Sequence, residues 1–215
     1  MTKRKKSGVL VALCLWLAFA LWTALVCVVN VQAIGPQNSK VGFATLNAFF
    51  QNLTGMNTWL YNLTDWLGVV PIAVAVGFFV LGIAQWIARK DIRKVDFDIL
   101  ALGVFYIVVG LTYALFEFVV INYRPVLIEG ILEASYPSST TMLASSVMPT
   151  AMLQLRKHIA NKKLQTVVLS VTAVFTVFMV VGRLIAGVHW FSDIVGGLLF
   201  SGGAVLLYYT AAFVD

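Results

Sequence analysis

Charge is what this chain has least of. Of 215 residues only 11% are Asp, Glu, Lys or Arg, whereas 60% are hydrophobic, and the mean hydropathy is +0.92. Soluble domains carry about 25% charged residues, so a soluble protein with a large core is excluded and a membrane protein is indicated. Cysteine is almost as scarce. Cys14 and Cys27 both fall in one apolar run, where pairing with each other is implausible; the disulfide framework of a secreted mini-domain is absent. Histidine occurs only at 158 and 189. One His beside one Asp makes a poor metal site, so no metal and no other cofactor is expected. The chain also has no soluble domain, no low-complexity tail and no long repeat.

Long apolar runs are what the chain has instead. They predict an all-α polytopic membrane protein, a single membrane domain over residues 1–215, with six transmembrane helices at about 8–33, 67–87, 99–121, 138–155, 164–181 and 194–213. The first run follows Lys3-Arg4-Lys5-Lys6 but is too long for a signal-peptide core and lacks a convincing cleavage site, so it reads as retained. Residues 34–66 mix Asn, Thr and Gly with Phe43, Phe49, Phe50, Trp59 and Trp66. That is the character of an amphipathic segment lying at the membrane interface between the first two spans. The span at 138–155 is rich in Ser and Thr and contains Pro149, which places it in the bundle interior, where neighbours satisfy its hydroxyls.

The fifteen basic residues are unevenly divided. Twelve fall at the N-terminus and in two loops, at 89–94 and 156–163, all on one side of a six-span chain. By the positive-inside rule that side and both termini are cytoplasmic. This accounts for the net charge of +6 without nucleic acid. Of the three remaining, Arg124 and Arg183 stand in segments that look functional, so the chemistry is expected to face outward, in a plasma membrane expected to be bacterial.

Three external segments carry that chemistry. The stretch from Gly182 to Asp193 holds Arg183, His189 and Asp193 within eleven residues, although each charge costs about 2.5–3.5 kcal/mol at bilayer depth. If residues 189–193 are helical, His189 and Asp193 share a face, and a carboxylate holding one imidazole nitrogen leaves the other free to attack. Arg183 offers a planar fork suited to phosphate. A second segment runs from Glu117 to Arg124-Pro125. Read as helix, it puts Glu117 two turns below Arg124, about 10 Å deeper on the same face. The third, Tyr136-Pro137-Ser138-Ser139-Thr140-Thr141, turns from loop into helix and offers the N–H groups of a helix N-terminus to an anion. Together these groups suit phosphoryl transfer, in which positioning and charge stabilisation dominate.

The layout resembles the type-2 phosphatidic acid phosphatase superfamily of integral-membrane lipid phosphatases. Arg124-Pro125, Pro137-Ser138, and Arg183, His189 and Asp193 match that family's three signatures in order and, in the third, in spacing; the likeness covers about residues 65–213. It implies a metal-independent hydrolase with no cofactor. His189 would attack phosphorus to give a phosphohistidine, Asp193 would orient it, and Arg124, Arg183 and the Ser138–Ser139 backbone would hold the phosphate oxygens.

The departures from the family pattern matter as much. Glu117 stands where the family has Lys, Ser139 where it has Gly, Thr140 where it has the leaving-group His, and Gly182 where it has Ser. A missing general acid costs about 10²–10⁴-fold. An alkoxide leaving group needs the proton, whereas a phosphate, with a second pKa near 6, departs unaided. The expected substrate is therefore a lipid phosphate or diphosphate, with polyprenyl diphosphate favoured over phosphatidate. Glu117 as substitute acid, transfer to an acceptor other than water, and a catalytically degenerate lipid-binding or transport protein stay open, as does the oligomeric state. Glu129 and Glu133 read as a solvated face.

Overall fold

The apolar runs become helices wherever a cap starts them and a turn residue stops them. The computed structural model describes residues 2–214. Its helices are α1 (Lys3–Val28), α2 (Ala44–Thr54), α3 (Thr58–Leu67), α4 (Val69–Arg89), α5 (Phe97–Phe118), α6 (Ser139–His158), α7 (Lys162–Ile185) and α8 (Phe191–Phe213). Asn57 caps α3 by accepting the N–H of Leu60 at 2.9 Å, and Asn161 caps α7 by accepting those of Lys163 and Leu164 at 3.0 and 3.1 Å. These are the orphan donors of a helix start, satisfied by a short amide side chain. Among the described residues there is no strand, only isolated bridges such as Tyr123 with Ala134. The chain is all-helical.

Five stretches are long and apolar enough to cross a membrane: Lys3–Val28, Thr58–Arg89, Phe97–Phe118, Lys162–Ile185 and Phe191–Phe213. The segment expected as the fourth span forms the helix α6, long enough to cross but too polar to stand among these five. Several boundaries differ from expectation by three to five residues. The run at 8–33 stops being helical at Val28, and the run at 99–121 stops at Phe118. In addition α3 meets α4 across the single residue Gly68, so the helical stretch that holds the second apolar run begins at Thr58.

Helix α8 is the centre of the bundle. On one side it packs along α1, with Gly203 admitting the Trp16 ring and the backbone of Ala12, while Trp16 and Trp22 donate to the carbonyls of Phe200 and Ser192 at 3.3 and 3.0 Å. On the other it meets α6 and α5 around a core of Leu102, Phe105, Val109, Met142, Phe200, Ala204 and Tyr208.

The Ser146 and Thr150 hydroxyls of α6 face this interior and are paired there. Ser146 donates to Ser201 at 2.9 Å, Ser201 to the Met142 carbonyl at 3.1 Å, and Gln154 to Tyr208 at 2.6 Å. In an apolar medium such groups are tolerated only when paired, which is why this face is internal. Near the same end, Lys157 pairs with the buried Asp98 at 2.8 Å and Arg89 with Asp96 at 2.7 Å. The basic clusters therefore gather at one end of the bundle, and the C-terminal ends of α5 and α7 with the N-terminal ends of α6 and α8 at the other.

Candidate active site

At that second end the chain after α5 does not continue as helix. Val119, Val120 and Ile121 are β-branched, and Arg124 precedes a proline, which disfavours the helical region. The segment 119–138 instead folds back on itself: the Arg124 N–H donates to the Glu133 carbonyl at 3.0 Å and that of Ser135 to the Asn122 carbonyl at 2.9 Å. The expected helical stacking of Arg124 over Glu117 is thus corrected. The fold-back nonetheless brings both to one cleft, lined also by Tyr113, Ser135, Tyr136, Ser139 and His189. The bond between Tyr136 and Pro137 is cis.

His189 lies in the turn between α7 and α8, ahead of the first helical residue, and is 3% exposed. Its Nδ1 is 3.1 Å from the Ser135 carbonyl, which can only accept, so Nδ1 carries the proton and Nε2 the lone pair. That lone pair faces two guanidiniums: Arg183 Nη2 at 3.3 Å and Arg124 Nη1 at 3.4 Å. Burial, and after it the charges of Arg124 and Arg183, hold the imidazole pKa well below 6.5. The ring is therefore neutral at pH 7, as a nitrogen nucleophile must be.

Asp193 takes a different part from the one expected. Its Oδ2 is 3.9 Å from His189 Nδ1, within electrostatic reach but beyond a hydrogen bond. Oδ2 accepts the Trp190 N–H at 3.0 Å, and Oδ1 accepts Asn122 Nδ2 at 3.1 Å and Ser192 Oγ at 3.3 Å. The reason is geometric: α8 starts at Phe191, so an i,i+4 helical pair cannot form. Asp193 instead closes the turn that carries His189, and the Ser135 carbonyl fixes the ring.

Each guanidinium has an acidic companion. Arg124 Nε is 2.9 Å from Glu133 Oε2, an ion pair not aligned as a hydrogen bond. Glu133, expected on a solvated face, therefore belongs to the rim of the site. Arg183, 1% exposed, reaches Asp65 at 3.5 Å and Thr64 at 3.4 Å, and lies 5.2 Å from the Tyr61 ring centroid. Its Nε is buried with no acceptor among the described residues.

Ser138 is fully buried and caps α6. Its N–H donates to the Asp193 carbonyl at 3.1 Å and its Oγ accepts from Thr141 at 3.5 Å, so its backbone is committed to structure rather than free for an anion. Ser139 lines the cleft with its N–H at the helix start, where no intrahelical acceptor exists. Thr140 follows, half-buried and off the cleft wall. Among the described residues no three His, Cys, Asp or Glu side chains form a metal-ligating group.

The PAP2 superfamily model matches residues 43–214, most of the chain and all of these segments. The chain belongs to the PAP2 superfamily. A crystal structure titled as the first transmembrane PAP2 type phosphatidylglycerolphosphate phosphatase from Bacillus subtilis superposes with a TM-score of 0.60 at 22% identity, covering 94% of each chain. At that identity the likeness shows a shared PAP2 fold. No curated protein matches the sequence significantly.

Several residues of this PAP2 site were missed from sequence: Asn122, Ser135, Glu133, Asp65 and Tyr61. Asp65 alone left a signal, as the one acidic residue in the aromatic stretch 34–66.

Proposed function

We propose that this PAP2 protein is a membrane hydrolase that removes the terminal phosphate of a lipid diphosphate, of which polyprenyl diphosphate is the favoured kind. The observation that carries the reading is the Nε2 lone pair of His189 held between the guanidiniums of Arg124 and Arg183. A phosphoryl group placed there has its oxygens on two cations and its phosphorus in front of a neutral nucleophile. The unpartnered Nε–H of Arg183 supplies one more donor.

Binding exchanges weak partners for strong ones. The cleft volume is only about 20 Å³, room for a single water. Phosphate therefore enters by displacing Glu133 and Asp65, whose side chains are 39% and 57% exposed. Only the carboxylates of these pairs are exposed, so they can swing into water while the phosphate takes their place beside the buried guanidiniums.

In the first step His189 Nε2 attacks the terminal phosphorus and the bond to the bridging oxygen breaks. The lipid leaves as its monophosphate, while the Ser135 carbonyl and Asp193 stabilise the positive charge gained by the ring. Water then attacks the phosphohistidine, its oxygen and protons leaving with inorganic phosphate, and the neutral imidazole returns. Thr140, at the position of the family's acid, is a poor proton donor. A phosphate leaving group does not need one.

The positive-inside distribution supports cytoplasmic termini, six crossings including α6, and a site facing outward. On this reading α2 and α3, with Trp59 and Trp66 exposed, lie at the interface and roof the site.

The test is phosphate release in detergent from polyprenyl diphosphate, polyprenyl phosphate and phosphatidate. The expected result is a preference for the diphosphate of about 10²-fold or more, abolished by His189→Ala. A preference for phosphatidate overturns the reading.

A further inference from the structure

Arg183 is gripped from two sides, and the residue before it in the chain departs from the family pattern. On the proposed reading of the site, we infer that Thr64 of α3 is a positioning residue for Arg183, its hydroxyl standing in for the one that the family pattern carries at position 182. A guanidinium is planar, so fixing two of its nitrogens fixes the third. Arg183 Nη2 lies 3.3 Å from His189 Nε2, and Nη1 donates to Thr64 Oγ1 at 3.4 Å and to Asp65 Oδ1 at 3.5 Å. The remaining Nε–H is buried with no acceptor among the described residues. The contacts on Nη1 therefore decide where that free donor aims.

Tyr61, Thr64 and Asp65 stand three and four residues apart, so a single face of α3 meets Arg183. The two acceptors differ in permanence. The Asp65 side chain is 57% exposed and gives way when phosphate binds, whereas Thr64 is fully buried and stays. Its own proton is already committed: Oγ1 donates to the Leu60 carbonyl at 2.8 Å, with the Tyr61 carbonyl 3.1 Å away. A hydroxyl has one proton to give, so only lone pairs face Arg183. Thr64 thus holds the cation and does not itself donate to the phosphate.

Gly182 is the other half of the arrangement. A Cβ built on it would lie 2.8 Å from Thr64 Cγ2, nearer than real side chains come, while the next atom, Leu60 Cδ1 at 3.8 Å, is an ordinary contact. Thr64 and any side chain at 182 therefore compete for one space beside Arg183. A glycine inside a helix is destabilising relative to alanine, and α7 runs on to Ile185. Admitting Thr64 gives Gly182 a purpose. The hydroxyl beside Arg183 comes from α3 instead of α7.

Two readouts on the full chain in detergent test this: phosphate release from polyprenyl diphosphate, and calorimetric binding of inorganic phosphate, which needs no turnover. Thr64→Val keeps the shape and removes the acceptor. It is expected to lower kcat/KM and to weaken phosphate binding, each about tenfold, the size of one lost hydrogen bond to a charged group. Thr64→Ser keeps the hydroxyl and should stay within about twofold of the parent in both.

The exchange can also be run in reverse. Thr64→Ala should behave like Thr64→Val, and it clears the space at 182. Adding Gly182→Ser to it should recover most of the loss, whereas Gly182→Ser alone, in collision with Thr64, should lower activity and the thermal midpoint. Parental activity and phosphate affinity in Thr64→Val, equal losses in Thr64→Val and Thr64→Ser, or no recovery in the Thr64→Ala, Gly182→Ser chain overturn the role of Thr64. Phosphate binding that Thr64→Val weakens, in a protein whose parent cleaves no lipid diphosphate, keeps that role and removes the hydrolase reading.

Discussion

His189 illustrates how much one side chain owes to its surroundings. Its pKa is held well below 6.5 by burial first and by Arg124 and Arg183 second, so ¹⁵N NMR of the imidazoles should show a ring that stays neutral as pH falls through 6.5. Arg124→Ala removes a lesser cause, and the His189 pKa should rise toward 6.5 without reaching it. Titration of His189 at or above 6.5 in the parent protein would contradict this account. The sign for stability follows from the same depression. Below the unfolded value of about 6.5 the unfolded chain binds the proton more readily, so the contribution of His189 is complete above that pH and declines as pH falls toward the folded pKa.

Helix α6 and the turn before α8 show what an element adds to its residues. Gly187 has φ +68°, and a Cβ there would lie 1.7 Å from the Gly55 carbonyl oxygen. Through this contact, and through the bonds from Asn57 N–H to the Ala186 carbonyl at 3.0 Å and from Gln51 to the Gly187 carbonyl at 3.1 Å, the α2–α3 loop is docked onto the turn that holds His189. Gly187→Ala therefore combines about 1–3 kcal/mol of backbone strain with a displaced loop, and should lower both the thermal midpoint and activity. Gly103→Ala, whose Cβ meets open space, should leave the midpoint unchanged or raise it. Equal midpoints for the two variants in a detergent melt would refute the packing argument.

The same contrast marks what the sequence made legible. The helices were readable because an apolar run of sufficient length admits little else in a bilayer, and α6 because clustered hydroxyls there need an interior. Arg124, Arg183 and His189 were readable as spaced charges in apolar surroundings. The fold-back of 119–138 was not, because its partners, Asn122 with Asp193 and Glu133 with Arg124, are set by tertiary contact rather than by any local period. Nor was the start of α8 at Phe191, which leaves His189 in the turn ahead of the helix and its ring against the Ser135 carbonyl rather than Asp193.

At the scale of the whole molecule the decisive asymmetry is charge. The basic clusters at the N-terminus, at 89–94 and at 156–163 lie at one end of the bundle, and the cleft with Arg124, Arg183 and His189 at the other. On the proposed reading, translocating twelve cations is far less favourable than translocating three, which favours a cleft on the outer face. In intact cells carrying a chain without Cys14 and Cys27, Glu129→Cys on the exposed 119–138 segment should react with a membrane-impermeant maleimide. Lys90→Cys and Lys162→Cys should react only after permeabilisation. The reverse pattern would place His189 toward the cytoplasm.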